Sequence, residues 1–132
     1  MINLCTLKVN GMHSKEKSLR DIEFLKRNKS SIAFLQESHW DEALQNKIEC
    51  DSNCFTFCNH GTTSSRGVAI LIGKNINFEV LNKYSDNDGR LLLLNVRIED
   101  MIFPLVCLYA PNYKNSRNIF KKKKKILFKR IW

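Results

Sequence analysis

From Cys54 onward the chain changes its local grammar, and that change limits the folds open to it more than any other feature. Short β-branched and aliphatic runs alternate with turn residues at close intervals. Residues 55–59 lead into a polar loop (61–67), followed by 68–72 and 78–81. The turn Ser85-Asp86-Asn87-Asp88-Gly89 separates these from 91–98, and a tight Glu99-Asp100 turn precedes 103–109. Turns at this spacing predict an antiparallel meander. The first half reads differently. Residues 2–9 form a β-rich run closed by Asn10-Gly11, and 15–28 has helical periodicity with Leu19, Ile22, Phe24 and Leu25 on one face. Residues 31–35 are apolar without alternation, as in a strand covered on both sides. Residues 41–48 suit a short helix, with Asp41 and Glu42 at its positive end. The expected class is α/β or α+β, with a mostly antiparallel, largely buried sheet and helices supplied by the first half.

A chain of 132 residues with 43% apolar side chains can bury one core. It has no run approaching the ~18 apolar residues of a membrane span. The N-terminus carries neither a basic leader nor a small-residue cleavage site, so the expectation is an intracellular protein, nuclear or cytoplasmic, neither secreted nor bound to a membrane. Five cysteines without an export signal are expected to be reduced. Cys50, Cys54, Cys58 and nearby His60 invite a metal reading, but a strand over 54–58 would hold such ligands apart, and small buried thiols are the better account.

The net charge of +9 is unevenly placed. Residues 1–113 carry 13 basic and 13 acidic side chains, whereas 114–132 carry nine basic residues and no acid. The reading is therefore a neutral domain over 1–113 and a basic, Lys-rich tail over 114–132. Within the tail, Arg117, Lys121, Lys122 and Lys123 are the candidate nucleic-acid contacts.

Four places could carry chemistry. Glu37 closes the buried run Phe34-Leu35-Gln36-Glu37, where a carboxylate at a strand end can hold a hard cation. Tyr109 and Asn112, in Tyr-Ala-Pro-Asn, leave another strand and can both donate to a phosphate oxygen. Lys8 and Asn10 end the first strand. Asp88-Gly89-Arg90 reads as a hairpin turn. His13, His39 and His60 share no ligand spacing, and no glycine-rich phosphate loop is present.

The order of these pieces is more telling than any one of them. A first strand ending in Asn-Gly, a helix, and a strand ending in Leu-Gln-Glu-Ser-His come first. Ser-Arg-Gly-Val-Ala-Ile-Leu, Asp-Gly-Arg and a strand ending in Leu-Tyr-Ala-Pro-Asn follow. Over residues 2–113 this order resembles the endonuclease/exonuclease/phosphatase superfamily, most closely the apurinic-type endonuclease domain of non-LTR retrotransposon polyproteins. The resemblance implies half of a four-layer α/β sandwich and hydrolysis of DNA phosphodiester bonds with Mg²⁺ or Mn²⁺. It places Glu37 and Asn10 at the metal, and Tyr109 and Asn112 at the scissile phosphate. Lys8 stands where the family pattern has an earlier asparagine and is a further candidate nucleic-acid contact, and nothing after Asn112 matches the Asp-x-Asn and Ser-Asp-His of the family's second half. The expectation is thus a truncated metal-dependent DNA endonuclease domain, inactive alone, with Val68, Ile70 and Leu93 left facing water. The alternatives are a non-catalytic nucleic-acid-binding module using the basic tail and a protein-interaction domain.

Overall fold

A computed structural model describes residues 2–9, 11, 15–27, 31–61 and 66–110. In chain order these form β1 (Leu4–Lys8), α1 (Lys15–Arg27), β2 (Ile32–Gln36), α2 (Glu42–Ser52), β3 (Cys54–Asn59), β4 (Val68–Gly73), β5 (Phe78–Ser85), β6 (Leu91–Ile98) and β7 (Met101–Leu108). Asn10, Asn112, Arg117, Lys121, Lys122 and Lys123 lie outside the described residues, as does the whole segment 114–132.

The strands divide into two sheets, of order β1-β2-β4-β3 and β5-β6-β7. β1 and β2 are parallel and joined through α1; every other pairing is antiparallel. The expected single meander is therefore corrected. β4 has β2 on one edge and β3 on the other, so no edge remains for β5, and the 73–77 turn carries the chain into a second sheet. The strand expected at 78–81 runs on to Ser85 because the ladder shifts register between Val80 and Asn82 and then resumes.

Strand alternation explains the layering. Val68, Ile70 and Ile72 of β4 face the second sheet and meet Leu92, Leu94, Val96, Leu105 and Cys107. Ala69 and Leu71 face the helices and meet Ile22, Leu25, Trp40 and Ile48. The first sheet is thus apolar on both faces, with α1 and α2 outside it and the second sheet beneath. Val68, Ile70 and Leu93 are fully buried, which corrects the expectation that they face water. The chain already holds both sheets, and the second covers Val68 and Ile70, whereas Leu93 alternates with Leu92 and Leu94 and lies on the other face of the second sheet. Phe24 is also corrected: it is 56% exposed, because it lies about 200° around α1 from Ile22. No helix among the described residues is long and apolar enough to cross a membrane.

Candidate functional site

The parallel pairing of β1 with β2 sets Lys8 beside Gln36, and the next residues keep the two strand ends together. Val9 N–H donates to Gln36 O at 3.0 Å and Gly11 N–H to Glu37 O at 2.7 Å. From α1, the Lys17 ammonium donates to Val9 O at 2.9 Å and also to Gly11 O, tying down the end of β1.

Glu37 does not continue the strand. Its φ of 58°, with His39 at 57°, is left-handed backbone that only a few per cent of non-glycine residues adopt. The segment is held there by Ser38 N–H to Gly67 O (3.1 Å) and His39 N–H to Arg66 O (3.3 Å). Behind it the indole of Trp40, buried, donates to Ser18 Oγ of α1 at 3.1 Å.

Tyr109 arrives from the second sheet. Its N–H donates to Arg90 O at 2.8 Å, extending the β6–β7 ladder by one step beyond Leu91 and Leu108. Its hydroxyl donates to Glu37 Oε1 at 2.5 Å, joining residues 72 positions apart. The other carboxylate oxygen, Oε2, lies 3.6 Å from Lys8 Nζ. Two cations flank the Tyr109 ring, Lys8 Nζ at 5.9 Å from the centroid and the Arg90 guanidinium carbon at 5.5 Å. Glu37, Tyr109 and Lys8, singled out from the sequence, therefore meet at one point.

Arg90, which the sequence predicts only as part of a hairpin turn, belongs to this cluster too. Gly89, at φ +69°, lets the turn press against the 60–61 backbone; a Cβ there would lie 2.7 Å from Gly61 Cα and 2.8 Å from His60 O. Its carbonyl accepts from Gly67 N–H at 2.9 Å. Asp86 Oδ1 gathers Asn59 Nδ2 and the amides of Arg90 and Leu91. The turn is built to fix Arg90, and the available signal was an arginine directly after a tight glycine and before an apolar strand.

Could a divalent cation sit on Glu37? One carboxylate oxygen is engaged by a hydroxyl and the other faces an ammonium. Among the described residues no group of three His, Cys, Asp or Glu side chains converges anywhere. A dication ~4 Å from Lys8 Nζ would be repelled by about 8 kcal/mol at an effective dielectric of 20, before the single carboxylate of Glu37 offsets it. The residues described here do not fit a resident metal. The cysteines lie elsewhere: Cys54 and Cys58 pack into the helix-side core, Cys50 is exposed, and all five are free thiols. Burial pushes the Cys107 thiol up to about 12, and its Sγ donates to Leu35 O at 3.4 Å.

No family model matches the sequence. The chain is 33% identical over 119 residues to the Transposon TX1 uncharacterized 149 kDa protein of Xenopus laevis, of which it spans 9%. Its fold matches humanized D. rerio TDP2, with a TM-score of 0.68 and 16% identity over 98% of this chain and 56% of that one. It also matches the endonuclease domain of TRAS1, a telomere-specific non-LTR retrotransposon, with a TM-score of 0.64 and 11% identity over 95% and 53%. A D. rerio TDP2 complexed with single-strand DNA product matches at a TM-score of 0.60 with 16% identity, over 96% and 53%. The chain spans little more than half the length of these structures. The chain thus shares its fold with about half of each of these structures, and its sequence is similar to a short part of a transposon protein.

Proposed function

We propose that the chain carries the phosphate-contacting part of a retrotransposon-type DNA endonuclease site and does not cleave DNA alone. The observation that supports this is the meeting of Glu37, Tyr109, Arg90 and Lys8 at the ends of strands from two sheets. Arg90 and Lys8 bring two positive charges to a place bearing one carboxylate, which suits a phosphodiester oxyanion. Tyr109 supplies a hydroxyl donor, and the Glu37 carboxylate fixes the direction of that hydroxyl. Asn112, by resemblance, would add an amide donor to the same phosphate.

Hydrolysis also needs a water made nucleophilic by a positioned base. Glu37 is committed to a hydroxyl and an ammonium, so the described part of the site binds without turning over. Purified chain incubated with supercoiled plasmid and Mg²⁺ is expected to nick no faster than buffer. Nicking that disappears in Glu37→Ala would refute the inactive reading.

A second reading rests on the charge distribution: nine basic residues and no acid over 114–132 would hold nucleic acid through its phosphates. On that reading, removing 114–132 abolishes duplex binding and its steep salt dependence. Unchanged affinity would exclude it.

A further inference from the structure

Lys8 and Glu37 are more than neighbours on a surface. Lys8 extends from the last position of β1, whose pairing with Gln36 fixes its backbone relative to the strand that carries Glu37. The Lys17 bridge to the Val9 and Gly11 carbonyls removes the freedom of the next turn. From that anchored position the ammonium reaches the Glu37 oxygen that Tyr109 does not engage, the place a hard cation would take. Glu37 is 17% exposed at the side chain and Lys8 57%, so the carboxylate is recessed and the lysine stands at its mouth. Arg90 lies over the same tyrosine ring. One carboxylate with two flanking cations leaves a single net positive charge, the complement of one phosphodiester group.

We propose that Lys8 is the built-in cation of this site: its ammonium occupies the carboxylate where a divalent ion would bind, so that a nucleic-acid phosphodiester is held by Lys8, Arg90 and Tyr109 without metal. This deepens the function proposed above and rests on it for the class of ligand. The metal-free character rests on the Lys8–Glu37 geometry alone.

The dinucleotide TpT, which carries a single phosphodiester group, serves as the probe, with residue-resolved amide shifts as the readout. In EDTA, the wild-type chain is expected to show TpT-dependent shifts at Lys8, Gln36 and Arg90. Added Mn²⁺ is expected to leave the Gln36 and Glu37 signals unbroadened. Lys8→Asn, a change at an exposed side chain, should weaken TpT binding in EDTA about ten-fold and admit Mn²⁺ broadening at Glu37. Lys8→Arg should retain metal-free binding. Mn²⁺ broadening at Glu37 in the wild type, or TpT shifts that require Mg²⁺, would overturn the proposal while leaving the phosphate site standing. An absence of TpT shifts at these residues under every condition would take down both.

Discussion

Glu37 reaches Tyr109 because its backbone turns left-handed at the point where β2 would otherwise carry the side chain along the sheet. Such a conformation costs of order 1–3 kcal/mol in a non-glycine residue and persists only where neighbours over-determine it. Here the 66–67 carbonyls and the Gly11 amide do so. Gly89 plays the matching part on the other side, where only a residue without Cβ clears the 60–61 backbone. Gly89→Ala should therefore destabilise the chain by about 2 kcal/mol in urea denaturation, from left-handed strain and a backbone clash together. It should also lower phosphodiester binding by displacing Arg90. Full stability in that variant would mean that the 85–90 turn yields easily and does not fix Arg90. Glu37 and Tyr109 were legible in the sequence because each ends an apolar run with a polar group, a local pattern. Arg90 was not legible, because its proximity to Tyr109 comes from β6–β7 pairing across some twenty residues, and a turn read alone looks like any other hairpin.

Elements show the same division between local and long-range information. Asp41, expected at the positive end of a helix, caps α2: its φ and ψ are extended and its side chain accepts from Leu44 N–H at 2.8 Å. That much is written in a few adjacent residues. The packing of α2 against β3 is not. Gln45 donates to Thr56, Glu49 accepts from the Thr56 amide and hydroxyl, and His60 contacts Gln45 Oε1 at 2.9 Å. Since that oxygen only accepts, His60 must carry its proton on Nε2. Burial, outweighing attraction by Asp41, holds the imidazole below its usual 6.5. The sign follows. A histidine harder to protonate when folded contributes stability above about pH 6.5 and loses it as pH falls, because the unfolded chain takes up the proton first. Unfolding free energy should decline from pH 6.5 toward 5, and His60→Gln should flatten that part of the curve relative to the wild type. An unchanged slope in the variant would assign the pH dependence to other groups.

At the scale of the molecule, the two sides of the sandwich are finished differently. Where β3 overlies β5, Phe55 and Phe57 meet Phe78 edge-on at centroid distances of 5.5 and 6.2 Å, and Lys74 lies over Phe55. That side is closed by aromatic packing. The opposite side, between edge strands β1 and β7, is an apolar cleft of about 250 Å³ lined by Ile2, Leu4, Ile32, Ile98, Phe103 and Leu105. Leu4, Met101 and Ile102 are each more than half exposed beside it. Two neighbouring edges with apolar side chains, neither paired on its outer side by another described strand, invite pairing with any other strand. Pro104 blunts the middle of β7 by removing one donor, but nothing comparable protects Leu4–Leu7. The isolated chain should accordingly self-associate as concentration rises, seen as an increasing average mass in sedimentation equilibrium. Phe103→Lys places a charge in the cleft without touching the core between the sheets. It should suppress that association while shifting unfolding free energy by no more than about 1 kcal/mol. A wild-type chain that stays monomeric at the highest concentrations would mean the cleft closes by itself. Association unaffected by Phe103→Lys would move the contact to another surface. The outcome bears directly on the site, because β1 and β7 also deliver Lys8 and Tyr109 to Glu37. Whatever pairs with these edges stiffens the two strands on which phosphate recognition depends.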